Sequence, residues 1–204
     1  MPAHKGTTDQ KIQAAAAEIF LEYGFLDTTM SMIAQKVGIS TPAIYKHFSG
    51  KQELYASLVD PLIETVQSIF KTAQTQKETM FEERQEHSVW DKSNTIDSLL
   101  DFVYAHFTEM RLLLCASEGT GYELMVDKAA AHEADIIIST LPYLRKQGIT
   151  SADPDPAFIH LLTKHYYRSE AEIVIQNMSK EDAKRYAESI DRFFTAGWRD
   201  LLGF

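Results

Sequence analysis

The sequence predicts an all-α fold of about nine helices. Apolar residues recur at three- and four-residue steps along most of the 204-residue chain, whereas the strict alternation typical of strands is nearly absent. Glycine and proline, which interrupt regular structure, number only 9 and 6. With 45% hydrophobic and 24% charged residues, the composition is that of a globular protein with a packed core, not of a disordered or fibrous one.

Three helices are predicted within the first fifty residues. An apolar stripe over residues 12–23 forms the first helix, a glycine ends it, and a threonine caps the second. A second glycine makes the next turn, a serine caps the third helix, and a proline occupies its first turn, where its missing N–H costs nothing. These residues are, in chain order, Gly24, Thr29, Gly38, Ser40 and Pro42. The predicted arrangement is a helix–turn–helix.

A long fourth helix is predicted to begin near Lys51. Pro61 is expected to interrupt it with a kink, because proline cannot donate a hydrogen bond to the carbonyl of Ser57. The polar residues 82–88 and 91–94 predict an exposed connection after this helix.

The second half of the chain predicts five more helical stretches. One begins at Ile96, and the apolar run 112–116 either prolongs it or forms a short sixth helix. Thr120 and Glu123 have the spacing of a capping box, which predicts a helix from there to about Gln147. Two further helices begin at residues 153–156 and at a cap formed by Ser179 with Asp182, and carry the apolar residues of the C-terminal part.

Charge is divided unevenly along the chain. Residues 1–52 carry five Lys or Arg and four Asp or Glu, a net charge of +1. Because the whole chain has a net charge of −9, the remaining residues have a net charge of −10. A polyanion would be tolerated by the first part, where Lys46, His47 and Lys51 cluster, and repelled by the second.

Several classes of protein and site are disfavoured. The single cysteine, Cys115, can form neither an intramolecular disulfide nor a multi-thiolate zinc site, and we expect a cytoplasmic protein in which this residue is buried and inert. No stretch has the apolar length of a signal or membrane-spanning segment. His160 and His165 are five residues apart and do not share a helix face, and no phosphate-binding glycine loop or catalytic constellation is found. We therefore expect no metal, no cofactor and no catalytic site.

Residues 12–55 read I-x2-AA-x2-IF-x3-GF-x2-TTM-x2-IA-x2-VGIS-x3-IYKHFSGKQELY. This succession resembles the DNA-binding part of the TetR-type (TetR/AcrR) transcriptional repressors. The resemblance implies a helix–turn–helix DNA-binding domain over residues 1–52, called the head below. It also implies a helical ligand-binding and dimerisation domain over residues 53–204, called the body.

The resemblance assigns nine residues of the head to DNA. Three small ones begin the recognition helix and read base edges, with Ser40 as its cap. Without arginine or asparagine among these, specificity depends on Lys46 or on DNA shape. Phosphates are bound by four other side chains and by the backbone amides that begin the fourth helix. These side chains are those of Thr29, Tyr45, His47 and Lys51. The set is Thr29, Ser40, Thr41, Pro42, Ala43, Tyr45, Lys46, His47 and Lys51.

The resemblance also implies an effector pocket in the body. Aromatic and methionine side chains suit a flat or greasy molecule, and a cation is favoured if the ligand is charged, because residues 95–146 carry eight acids and four bases. The predicted pocket residues are Phe102, His106, Phe107, Met110, Glu118, Tyr122, Met125 and Tyr166. Pro61 is the predicted hinge between pocket and head.

The last two helices are expected to pair with their copies in a homodimer. They carry more apolar residues than one amphipathic face needs: Tyr166, Tyr167, Ile173, Val174 and Ile175 on one, and Phe193, Phe194, Trp198, Leu201 and Leu202 on the other.

The sequence therefore favours a transcriptional regulator that a small molecule releases from a palindromic operator. A repressor is expected, and activation in place of repression stays an open alternative. The small, weakly polar Thr41-Pro42-Ala43 surface also allows a TetR-fold regulator that acts through a protein partner without reading an operator. An enzyme that uses the same helical fold is the third alternative.

Overall fold

The computed structural model describes residues 3–82 and 95–203, with side chains over 7–68 and 96–203. These ranges contain nine helices and no strand, as predicted: α1 (Ala3–Asp27), α2 (Met30–Val37), α3 (Thr41–Ile44), α4 (Lys51–Glu82), α5 (Thr95–Ala105), α6 (Phe107–Cys115), α7 (Met125–Lys146), α8 (Pro156–Ile175) and α9 (Lys180–Leu202). Contacts divide the chain into a first unit, residues 1–122, and a second unit, residues 123–204. Of the connection predicted over 82–88 and 91–94, Glu82 is the last residue of α4, and the remaining residues lie outside the described ranges.

The local signals of the head are confirmed. Gly24 breaks the helical path of α1 with φ 76° and ψ 167°, and Thr29 Oγ1 accepts a hydrogen bond from the Met32 N–H at 3.2 Å. Gly38 ends α2 in the left-handed conformation, and Ser40 Oγ accepts from the Ala43 N–H at 3.3 Å. Short-range capping therefore sets the turn between α2 and α3.

The core of the first unit joins α1 to α2, α3 and α4. Ile12, Ile33, Ile44 and Leu54 are among its fully buried residues. Tyr23 was predicted in the buried stripe of α1, and this is wrong: its ring is 47% exposed. The residue precedes the break at Gly24 and its hydroxyl pairs with the neighbouring Glu22, so the side chain points to solvent.

Pro61 does not end helix α4, and the kink predicted there stays a prediction. Helix α4 continues through the proline as one element. The Ser57 side chain, one turn earlier, accepts a hydrogen bond from Gln13 Nε2 of α1 at 3.0 Å, and the Ser57 carbonyl lies 3.5 Å from the same nitrogen. A side chain of α1 therefore lies at the carbonyl that proline leaves without its helical donor.

The apolar stretch after Ile96 forms two helices, because His106 (φ −120°, ψ 31°) separates α5 from α6. The capping box predicted at Thr120 is wrong. Its hydroxyl is buried, donates to the Ser117 carbonyl at 2.5 Å and accepts from the Tyr122 N–H at 3.1 Å, so it builds the preceding turn. Helix α7 begins later, at Met125.

Cys115 was expected to be buried, and it is exposed at the end of α6. Partial burial still raises the pKa of its thiol, and Arg111 one turn earlier opposes that rise. A raised pKa keeps the sulfur in its less nucleophilic thiol form.

The second unit consists of α7, α8 and α9. Asp155 caps α8 through the Ala157 N–H at 2.8 Å, and Ser179 caps α9 through the Asp182 N–H at 3.1 Å, as predicted. Its core contains Ala134, Leu141, Ile159 and Leu202, with Ile137, Ile138 and Trp198 packed against it. Ile173, Val174 and Leu202, which were expected to face a partner, are buried within this unit because they lie on the inner sides of their helices.

Within the ranges that the structure describes, no helix combines the length and hydrophobicity needed to cross a bilayer.

Candidate nucleic-acid interface

Helix α3, the predicted recognition helix, is anchored to the core by apolar side chains on one side. Ile44 is fully buried and Phe48, just beyond the helix, is 7% exposed. Pro42, Tyr45 and Lys46 are exposed on the other side, with Tyr45 at 51%. This arrangement leaves one face of a short, capped helix free to approach a groove of DNA.

The residues predicted to read bases are consecutive in the first turn of α3 and differ in exposure. Thr41 and Ala43 are half-buried, Pro42 is exposed, and Ser40 is used as the helix cap. A hydroxyl and two small apolar surfaces can contact a base edge or a thymine methyl group.

Thr29 and Lys51 are the predicted phosphate-binding residues nearest the helix ends. Thr29 is exposed, and its hydroxyl, which accepts the cap hydrogen bond, keeps a hydrogen to donate. The Lys51 ammonium donates to the carbonyls of Phe25 at 2.6 Å and Leu26 at 3.0 Å, and lies 4.4 Å from the centre of the Phe25 ring. Lys51 therefore fastens the start of α4 to the end of α1, a structural role that sequence analysis missed.

The start of α4 is also capped by its own acid. Glu53 accepts hydrogen bonds from the Ser49 N–H at 2.7 Å and the Ser49 hydroxyl at 2.5 Å, and these bonds lower the pKa of the Glu53 carboxyl. The carboxylate keeps the chain between α3 and α4 in a fixed turn.

His47 contacts an acid that the sequence analysis did not single out. Its Nδ1 lies 2.5 Å from Asp9 Oδ1 of α1, 38 residues earlier in the chain. The packing of α1 against the chain that follows α3 brings Asp9 and His47 together, and no local sequence motif predicts such a pair.

The predicted pocket residues fall in both units. Phe102, His106, Phe107 and Met110 are half-buried on α5 and α6, and the rings of Phe102 and His106 are 4.8 Å apart. Glu118 is exposed in the turn after α6.

Met125 and Tyr166 belong to the second unit. Burial raises the pKa of the Tyr166 phenol, and the nearby Glu170 and Asp191 add to the effect. Two shallow concavities, of about 540 and 320 Å³, are lined by residues outside the predicted set. The first is lined by Arg145, Gly148, Ile149, Thr150, Ser151 and Gly203, and the second by Lys11, Ala14, Ala15, Glu18, Lys36 and Val37.

Tyr122, also predicted for the pocket, binds α4. Its hydroxyl donates to Asp60 Oδ1 at 2.6 Å, and partial burial together with this bond raises the pKa of the phenol to about 12. Beside it, Gln52 Nε2 donates to the Thr120 carbonyl at 2.9 Å. These contacts, with the bond from the buried Tyr55 hydroxyl to the Leu112 carbonyl at 2.8 Å, fasten α6 and the following turn to α4.

Residues 12–58 match the family model described as bacterial regulatory proteins, tetR family. The HTH-type transcriptional activator FasR of Mycolicibacterium smegmatis is 39% identical over 62 residues, 28% of each chain. The HTH-type transcriptional regulator TtgR of Pseudomonas putida is 35% identical over 71 residues, 35% of this chain and 34% of TtgR. These matches thus span about a third or less of each relative's length.

One solved structure extends the likeness in fold over most of the chain. The fatty acid degradation regulator FadR from Bacillus halodurans superposes with a TM-score of 0.51 at 15% identity, covering 91% of this chain and 93% of FadR. At this identity the likeness concerns the helical fold.

Proposed function

We propose that this chain, a transcriptional regulator of the TetR family, binds an approximately palindromic operator as a homodimer and is released from it by a small molecule. The observation that carries the proposal is the capped helix α3, anchored by Ile44 and Phe48 and exposed at Pro42, Tyr45 and Lys46. The head over residues 1–52 then binds DNA, and the body over 53–204 senses the effector and pairs the subunits, in the cytoplasm.

Contacts to DNA divide into two kinds. Thr41, Pro42 and Ala43 touch base edges, whereas Tyr45 and His47 bind phosphates and fix the register. Lys46, whose side chain is exposed beside them, adds charge that attracts the polyanion.

The homodimer is proposed to form through α8 and α9. On α8, Phe158, Leu161 and Ile175 are 44%, 49% and 42% exposed, and on α9 Phe193 is 73% exposed. Apolar side chains of this size gain free energy when a second copy covers them, and a two-fold axis would present the same patch from both subunits.

The effector is proposed to contact the half-buried rings of α5 and α6. Phe102, His106, Phe107 and Met110 are each incompletely covered in the described chain. Aromatic and methionine surface of this kind accepts flat, apolar molecules.

A gel-shift experiment with the DNA upstream of the protein's own coding sequence tests the proposal. We expect a specific complex whose footprint shows two half-sites with centres about 34–36 Å apart, or a multiple of this distance. Failure to bind any fragment, with a dimer still present, would favour a regulator that acts through a protein partner, which the small surface of Thr41, Pro42 and Ala43 permits. Because FasR is named an activator, a transcription assay decides whether bound protein represses or activates.

A further inference from the structure

The contact between Asp9 and His47 is partly shielded from water. The two side chains are 33% and 19% exposed, and the Nδ1 to Oδ1 distance is 2.5 Å. Asp9 lies on α1, and His47 lies between α3 and α4. In such a setting the attraction between a carboxylate and an imidazole is stronger than at a fully hydrated surface.

This contact decides which ring nitrogen carries a proton. An ionised carboxylate only accepts hydrogen bonds, so the nitrogen facing Asp9 is the protonated one. Among the described residues, Nε2 of His47 has no hydrogen-bond partner. A neutral ring held in this way offers a lone pair at Nε2, which repels a phosphate oxygen, whereas the charged ring donates from both nitrogens.

We propose that Asp9 is a positioning residue for DNA: it accepts the hydrogen bond from Nδ1–H of His47 and so fixes the ring, and a ring protonated at both nitrogens then donates Nε2–H to an operator phosphate. The inference rests on the proposed function and deepens it. Loss of the Asp9 carboxylate should then weaken binding to operator DNA, because the ring is no longer held toward the phosphate.

Several other charged groups of the head have partners of their own, and two cations are exposed. Lys36 of α2 pairs with Glu18 of α1 at 2.5 Å. At the start of α4, Lys51 binds the carbonyls that end α1, and Glu53 binds Ser49. Lys46, next to His47 in the chain, and Lys11 on α1 are exposed cations. Asp9 is thus the acid in contact with the ring among the described residues.

The proposal and simple electrostatics predict opposite effects of removing Asp9. An acid near DNA repels phosphates, so its neutralisation should tighten binding if it does nothing else. If Asp9 positions the ring of His47 for a phosphate contact, the same change should weaken binding. The sign of the effect therefore distinguishes the two.

The test measures fluorescence anisotropy of a labelled duplex from the upstream DNA. At neutral pH, Asp9→Asn should weaken binding about threefold to tenfold, and Asp9→Ala at least as much, the range expected for a weakened charge-assisted hydrogen bond. In a His47→Gln background, Asp9→Asn should no longer weaken binding, because the group on which it acts is gone. Asp27→Asn, at the other end of α1, is the control matched in charge.

The state of the ring is measured separately in the DNA-free protein. Ring 15N signals of His47 at high pH should show the Nδ1–H tautomer in the parent chain and a shift toward Nε2–H in Asp9→Ala. Tighter binding of Asp9→Asn, or the Nε2–H tautomer in the parent, would overturn the inference. If the parent binds no DNA, the proposed function fails, while the tautomer still decides whether Asp9 holds the ring.

Discussion

The hydrogen bond from Tyr122 to Asp60 should contribute measurably to the stability of the first unit. Its O–H···O distance is 2.6 Å and its acceptor is a carboxylate. Hydrogen bonds to charged groups contribute about 1.5–3 kcal/mol, and the partial exposure of this pair places it at the lower end. We expect Tyr122→Phe to lower the free energy of unfolding by about 1.5 kcal/mol and Tm by about 3–6 °C.

Chemical denaturation and a thermal melt of the same samples measure this loss. Tyr23→Phe is the control, because the exposed Tyr23 hydroxyl also pairs with a carboxylate, that of Glu22, but at the surface. The control should leave the free energy of unfolding unchanged within the error of the measurement, because a pair at the surface contributes little.

The pH dependence gives a second signature. The pKa of Tyr122 is raised to about 12 in the folded chain from 10.0. The folded state therefore keeps a proton that the unfolded state loses, and the stabilisation, complete below pH 10, is lost as the pH rises toward 12. The Tyr122→Phe chain should lose less stability over this range than the parent. Equal losses in both chains, or equal effects of the two substitutions, would refute the role of this bond.

Three further changes test the proposed interfaces. Lys51→Ala should lower the free energy of unfolding by about 1–2 kcal/mol, because it removes the hydrogen bonds to the carbonyls that end α1. Lys46→Ala should weaken DNA binding and reduce its salt dependence while leaving the melting curve unchanged. A Lys51→Ala chain with unchanged stability and weakened DNA binding would assign Lys51 to phosphate alone. Phe193→Asp should convert the dimer to a monomer at micromolar concentration in sedimentation. The dissociation constant of the dimer should rise more than about 100-fold, because each of the two subunits brings the substituted residue to the interface. Glu188→Ser, on another face of α9, is the control and should leave the protein a dimer. Pro61→Ala should change the effector concentration that half-releases operator DNA and preserve binding without effector; an unaltered release curve would exclude a hinge at this residue.

The parts of the fold that depend on neighbours in sequence were predictable. Thr29, Gly38 and Ser40 act within one helical turn, so their types and spacing define the helix–turn–helix before any tertiary contact is known. The spacing of Thr120 and Glu123 looked equally good and was wrong, because burial gave the threonine hydroxyl a nearer partner at Ser117.

The long-range contacts that hold the first unit together were not predictable from the sequence. Asp9 meets His47 across 38 residues and Tyr122 meets Asp60 across 62. Such pairs form only after the helices pack. In the sequence, Asp9 and Tyr122 cannot be distinguished from any other acid or tyrosine on a helix surface or in a turn. A prediction of phosphate contacts by residue type alone therefore included His47 and could not include the acid that orients it.

Helix α1 is the element through which these contacts connect. Asp9 holds His47 at one end, Gln13 binds Ser57 beside the proline of α4, and Phe20 packs on the buried Tyr55, whose hydroxyl binds α6. A displacement of α6 cannot leave α1 unaffected, because their shared core is closely packed and shifts between discrete arrangements instead of deforming continuously. An effector that binds α5 and α6 more tightly in one arrangement would therefore alter the position of the His47 ring through α1 as well as through α4. In the Asp9→Asn chain the first of these routes is weakened, so less of the effector's binding energy should reach the DNA contact, and the ratio of operator affinities without and with effector should fall.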